Sequence, residues 1–173
     1  LNTVVSRYLE LSPGKAFAYN KILKELFFDK KGKKDTYWNS NINQSMLWKY
    51  SISGDLPILL VNIDSIECVG IVHEIIDFMD YVKNRKLDID IVIFADDEKY
   101  NDKVYEYTKN VIDNARYMDY TKGNIYLYNI DKIEKEDIDL FRFVCKKEIS
   151  HIDDFLAEKD ITQKIFESEE EEV

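Results

Sequence analysis

The sequence predicts an α/β fold: a small, mostly parallel three-stranded sheet flanked by helices and preceded by an N-terminal helical hairpin. Three observations carry that expectation. The apolar runs PILLVNI (57–63), DIDIVIFA (88–95) and NIYLYNI (124–130) have the length of strands. Within them, ILLV and IVIFA are apolar at consecutive rather than alternating positions, so both faces should be covered, as in a parallel sheet. Between the runs lie two stripes at helical spacing: Val69, Val72, Ile75 or Ile76, Met79 and Val82, then Val104, Tyr107 or Thr108, Val111 and Ala115. Each such helix is a crossover between parallel strands and is expected to be right-handed.

The remaining elements follow in chain order. Residues 3–11 read as the end of a first helix. Ser12 followed by Pro13 reads as an N-cap with Pro at the first helical position, where its missing N–H is no loss. The second helix runs to about Phe28, with Ala16, Tyr19, Leu23, Leu26 and Phe27 as its apolar face. DKKGKKDTYWNS ends it, because Gly32 among charges cannot form a core, and residues 29–56 are expected to be a connecting segment. Asp64 and Ser65 can cap the first crossover helix. A later helix is expected from Lys135 to about Lys147, with Ile138, Phe141, Val144 and Cys145 at helical spacing, and Asp153 opens a shorter one. The α/β layer is thus placed at 57–163, and 164–173 is an acidic, solvated tail.

A chain of 173 residues is expected to form one domain, since that length buries about 70% of its unfolded surface. Of the formal charge of −10, Glu167 and Glu169 to Glu172 supply half. Nucleic acid is a poor partner for such a surface, which gains nothing by displacing counterions from phosphates. No apolar stretch approaches the roughly 20 residues that span a bilayer, and there is neither an initiator Met nor a basic segment followed by an apolar run. The expectation is a soluble piece of a longer protein, without membrane contact of its own. Cys68 and Cys145 lie far apart with no CxxC spacing, which suits a reduced compartment.

Ligands of open α/β folds bind beyond the carboxyl ends of the strands, so a nucleotide is the first hypothesis to weigh. The segment after the first strand, DSIECVG, has a lone Gly70 inside the helix, and neither GxGxxG nor GxxxxGK[ST] occurs. No cofactor is expected. Asp96, Asp97 and Glu98 follow the second strand and form a weak candidate site for Mg²⁺ or Mn²⁺ through Asp96 and Asp97. The same residues suit capping of the next helix, whose positive end they complement, and capping is the preferred reading. His73 and His151 have no HxxxH or Cys spacing for zinc and no motif nucleophile nearby, so structural or surface roles are expected.

Trp48, Tyr50 and Asp55 are the best candidates for a functional surface. An exposed indole beside a carboxylate can stack on a sugar ring and accept its hydroxyl hydrogens. In the competing structural reading, Leu47 and Trp48 lock the entering segment onto the sheet, Gly54 permits a tight turn and Pro57 fixes the first strand residue. The structural reading is preferred for the domain alone, and the same surface can equally pack on a neighbouring module.

These residues belong to NQSMLWKYSISGDLPILLVNI (43–63), which resembles a stretch reading roughly NQSGLW-x-YGISGDLPI before an apolar strand in the cyclic β-1,2-glucan synthases. In those enzymes the C-terminal part is related to glycoside hydrolase family 94, formerly glycosyltransferase family 36. Asn43, Gln44, Ser45, Leu47, Trp48, Tyr50, Ile52, Ser53, Gly54, Asp55, Leu56, Pro57 and Ile58 stand as in that pattern, while Met46 and Ser51 replace small residues. Upstream, RYLELSPGKA is similar to the family's RYLGLSP junction. Downstream, LDIDIVIFADDEKY and NIYLYNIDKIEKEDIDLF follow in the family's order, so the resemblance extends over nearly the whole chain.

The resemblance implies an α/β insert beside β-sandwich modules, carrying neither the glycosyltransferase nor the phosphorylase active site. On that reading the chain is a non-catalytic accessory domain, not an enzyme. Its partners are the neighbouring β-sandwich and phosphorylase-like domains, with β-glucan as a further candidate. Its place is the cytoplasmic side of a bacterial membrane enzyme that transfers glucose from UDP-glucose and processes β-1,2-glucan. Two rivals stand beside it: a carbohydrate-binding module using Trp48, Tyr50 and Asp55, and a stand-alone metal-dependent glycosyltransferase using Asp96 and Asp97.

Overall fold

Strands β1 (Ile58–Ile63), β2 (Asp90–Ala95), β3 (Ile125–Asn129) and β4 (Lys147–Ile149) form one all-parallel sheet in the order β3-β2-β1-β4. The computed structural model describes residues 13–28, 41–115 and 124–155. Ile58 pairs with Asp90, Ile91 with Ile125, and Leu59 with Lys147, which fixes the register of all four strands. The helices are α1 (Pro13–Phe28), α2 (Asn41–Lys49), α3 (Val69–Asn84), α4 (Val104–Ala115) and α5 (Lys135–Val144). None of the described helices is long and apolar enough to cross a membrane.

The α/β class and the parallel pairing agree with the sequence expectation, but two of its details are corrected. The sheet has four strands rather than three. Lys147–Ile149 was expected to lie at or just beyond a helix end, yet α5 stops at Val144 and Cys145 turns to an extended backbone (φ −63°, ψ 146°). Three residues reading Lys-Glu-Ile carry no apolar run, so only pairing with β1 identifies them as strand. The connecting segment 29–56 is also not all connection, because it contains α2. That helix has only Met46 and Leu47 as buried anchors among the described side chains, too few to show a period. Of the N-terminal hairpin, α1 is described, and residues 3–11 with the Ser12 cap lie outside the described residues. Asp153 falls in a short 3₁₀ turn, Ile152–Phe155, and the acidic tail lies outside the described residues.

Alternation along the strands explains the uninterrupted apolar runs. Leu59, Val61, Ile63, Ile91, Ile93 and Ala95 cluster with the buried faces of α1, α3 and α4. Ile58, Leu60, Val92 and Phe94 point the other way and cluster with Met46 and Leu47 of α2 and Phe141 and Val144 of α5. Both faces are therefore dry. On α1 the buried set is Ala18, Tyr19, Ile22, Leu23 and Leu26, while Phe27, expected inside, is exposed. On α4 the buried residues are Val104, Thr108 and Ile112, which chooses Thr108 over Tyr107. Tyr19 packs edge-on against Phe78 at 5.3 Å and donates to Glu74 Oε2 at 2.6 Å, tying α1 to α3.

The connectivity positions the site. From β1 the chain steps through α3 to β2 and through α4 to β3, always outward and over one face. It then returns over the opposite face through α5 and sets β4 against the free side of β1. The winding reverses between β1 and β4. At such a switch point the loops leaving neighbouring strands diverge and open a crevice at their carboxyl ends.

Candidate functional site

The aromatic segment closes α2 and launches β1. Tyr50 and Ile52 N–H both donate to Leu47 O at 3.0 Å, and Ser51 takes a left-handed φ of 64°, so the last helical carbonyls are satisfied in a tight C-terminal turn. Gly54, with φ 82°, turns the chain into β1, as a residue without Cβ can do freely. Pro57 sits just before β1, and its carbonyl accepts from Asp90 N–H at 3.0 Å.

The three surface candidates do not converge. The Trp48 side chain is exposed, its residue 59% accessible, with Nε1–H donating to Ser53 O at 3.2 Å. Asp55 is also exposed, and its backbone N–H donates to Ser53 Oγ at 3.3 Å. Ser53 thus joins these two. Tyr50 turns inward instead: its hydroxyl donates to Asp137 Oδ2 at 2.5 Å, its ring packs on Phe141 and Tyr128, and its carbonyl accepts from the Tyr128 hydroxyl. Burial, reinforced by the bond to Asp137, pushes the Tyr50 phenol up to about 12.

Asp96 and Asp97 also diverge. Asp96 Oδ1 accepts from Glu98 and Lys99 N–H at 3.1 and 3.2 Å, closing the turn that leaves β2. Asp97 reaches over the loop to cap α4, accepting from Tyr105 N–H at 2.8 Å and from Asn129 Nδ2 at 3.2 Å. Among the described residues, no three His, Cys, Asp or Glu groups are placed to hold a metal ion. Asp64 pairs with Lys99 at 2.9 Å and no side chain caps α3, whose entry is the 3₁₀ turn Ile66–Cys68. His73 is exposed on α3, His151 is exposed after β4, and Cys68 and Cys145 are not joined in a disulfide.

A cleft of about 710 Å³ lies at the switch point. Asn62 and Ile63 at the end of β1 and Phe94 at the end of β2 form its floor. One wall is Asp64 to Cys68 with Lys99, Tyr100 and Asp102; the other is Glu148, Ser150 and His151 with Arg142 of α5. Asn62 Nδ2 crosses the floor to donate to Glu148 Oε2 at 2.6 Å and Ser150 Oγ at 3.1 Å. Sequence reasoning passed over most of these residues. The ends of the first two strands were visible in sequence, but the wall from Glu148 to His151 depends on β4, which no sequence pattern marks. No protein-family model matches the chain, and a search of curated proteins gives no match either.

Proposed function

We propose that the chain is a non-catalytic α/β module of a cyclic β-1,2-glucan synthase-like enzyme, holding neighbouring β-sandwich and phosphorylase-like modules in place. One observation carries the reading: the segment that bears the resemblance, 43–63, serves folding almost throughout. Leu47, Ile52 and Ile58 are buried, Tyr50 is tied to Asp137, Ser51 and Gly54 shape the turns, and 58–63 is β1, one of the two inner strands. Trp48 is the large apolar exception, fixed by its bond to Ser53 yet exposed. A rigid, exposed indole is the kind of anchor that module interfaces use. The transferase rival has less support, because Asp96 and Asp97 are turned to different internal partners.

The parent gene gives the first test. A β-sandwich and a phosphorylase-like segment should flank this region, and their absence removes the proposal. In the intact parent, Trp48→Glu should loosen the contact with the neighbouring module and speed proteolysis between modules. The isolated chain should keep its own unfolding midpoint, since an exposed substitution changes stability by only about 0.5 kcal/mol. Unchanged proteolysis of the parent would count against Trp48 as the interface.

A further inference from the structure

The cleft at the switch point has a chemical character of its own, and its volume of about 710 Å³ falls within the range of small-ligand sites. Its lining carries five carboxylates, Asp64, Glu67, Asp96, Asp102 and Glu148, against Lys99 and Arg142. Both cations are already engaged, Lys99 with Asp64 at 2.9 Å and Arg142 Nε with Glu148 at 3.7 Å. Ile66 N–H, beside the tip of β1 where a phosphate would look for backbone donors, faces Asp102 Oδ2 at 3.4 Å. An anionic ligand therefore meets net negative charge and no uncommitted cation among the described residues.

An uncharged ligand rich in hydroxyls meets the opposite. Each hydroxyl donates once and accepts up to twice, so it needs acceptors and donors side by side. Three of the carboxylates use one oxygen on internal partners and keep acceptor capacity: Asp96 bonds through Oδ1, Asp102 through Oδ2 and Glu148 through Oε2. Ser65 and Ser150 supply hydroxyl donors around the same space, and Lys99 and Arg142, their charge matched by Asp64 and Glu148, keep further N–H groups. On the floor, Asn62 Oδ1 is a buried acceptor with no hydrogen-bond partner. Tyr100 adds an exposed aromatic ring on the wall, 59% accessible. Such a ring can cover the apolar face of a pyranose while the polar groups take its edges.

We propose that this cleft, and not the Trp48 surface, is a binding site for an uncharged polyhydroxyl ligand. The proposal stands on the lining of the cleft and does not depend on the module reading above. The wall residues come from four separate places, the loops after β1 and β2, β4 with the loop that follows it, and the last turn of α5, and only the folded sheet brings them together.

The test is an amide-resolved NMR titration of the chain with the disaccharides sophorose and cellobiose, and in parallel with inorganic phosphate and ADP. The expected result is saturable shifts at Ser65, Tyr100, Ser150 and His151 with either disaccharide at ~10 mM or below, and none from the two anions. Tyr100→Ala should weaken saccharide binding roughly five- to tenfold while leaving the fold intact, because its ring is exposed. Trp48→Ala should leave the affinity unchanged. No saturable shift with either disaccharide overturns the proposal, as does tighter binding of phosphate or ADP in the cleft. Shifts confined to Trp48 and Ser53 would overturn it too, and would also count against Trp48 as a module interface, whereas silence throughout leaves the module reading untouched.

Discussion

Tyr50 and Asp137, 87 residues apart in sequence, meet at 2.5 Å and join the turn after α2 to the first turn of α5. Asp137 is almost fully buried and also accepts from Lys49 Nζ at 3.0 Å. The bond closes the layer of helices that covers the second face of the sheet. It also explains why the one tyrosine of the aromatic segment is turned inward.

Removing that hydroxyl should be felt in the stability of the whole chain. Tyr50→Phe keeps the ring against Phe141 and Tyr128 but withdraws a donor from a buried carboxylate, and should lower unfolding stability by about 1–2 kcal/mol in urea denaturation. Asp137→Ala should lose at least as much. In the double variant the losses should fall short of additivity by about 1 kcal/mol, and strict additivity would show that the two groups do not interact.

Alkaline pH should unfold the protein through its buried Tyr19 and its partly buried Tyr50 and Tyr128. Burial pushes Tyr50 and Tyr128 up to about 12, and burial with the Glu74 hydrogen bond raises Tyr19 well above the ordinary 10.0. A folded pKa above the unfolded one means that the native state holds the proton more firmly. The stabilisation is complete below pH 10 and is lost as pH climbs toward 12. Unfolding midpoints should therefore drop over that window together with the appearance of tyrosinate absorbance. Tyr50→Phe should show a shallower drop; an identical profile in the variant would remove Tyr50 from this account.

Asp90 should behave in the opposite sense to a helpful surface carboxylate. It is buried at the head of β2, and desolvation raises its pKa even though Asn124 N–H donates to Oδ1 at 3.1 Å. With the folded value above the ordinary 3.8, the favourable contribution exists at low pH and disappears as pH rises through the folded pKa. Asp90→Asn preserves the acceptor and removes the charge. At pH 7 it should be as stable as the parent or better by about 1 kcal/mol, with the advantage shrinking in acid. A substantial loss at pH 7 would mean that the ionised form is the stabilised one.

Asp97 is expected to act as a cap and not as a metal ligand. Asp97→Ala should lower stability by about 1–2 kcal/mol, because the Tyr105 N–H at the start of α4 loses its side-chain acceptor. Mn²⁺ should leave the melting temperature of the unsubstituted chain unchanged. A rise in melting temperature that Asp96→Asn or Asp97→Ala abolishes would restore the metal reading.

The apolar runs at 58–63 and 90–95 and the stripe on α3 were legible because their periods report burial directly: consecutive apolar residues for a strand covered on both faces, 3.6-residue spacing for a helix covered on one. Gly54 announced its turn for an equally local reason, the left-handed backbone that a Cβ disfavours. β4 gave no such sign, since three residues at a sheet edge owe their form to the neighbour they pair with. The same holds for the cleft, whose second wall exists only because β4 lies beside β1.

The chain by itself determined which segments must be buried and on which side, and hence an α/β layer with parallel strands, because those preferences act between residues close in sequence. Strand order, the reversal between β1 and β4, the inward turn of Tyr50 toward Asp137 and the gathering of Asn62, Tyr100, Arg142 and Glu148 around one crevice were decided only by the tertiary structure. Each depends on contacts between residues tens of positions apart, and no local periodicity encodes which distant partner a side chain will meet.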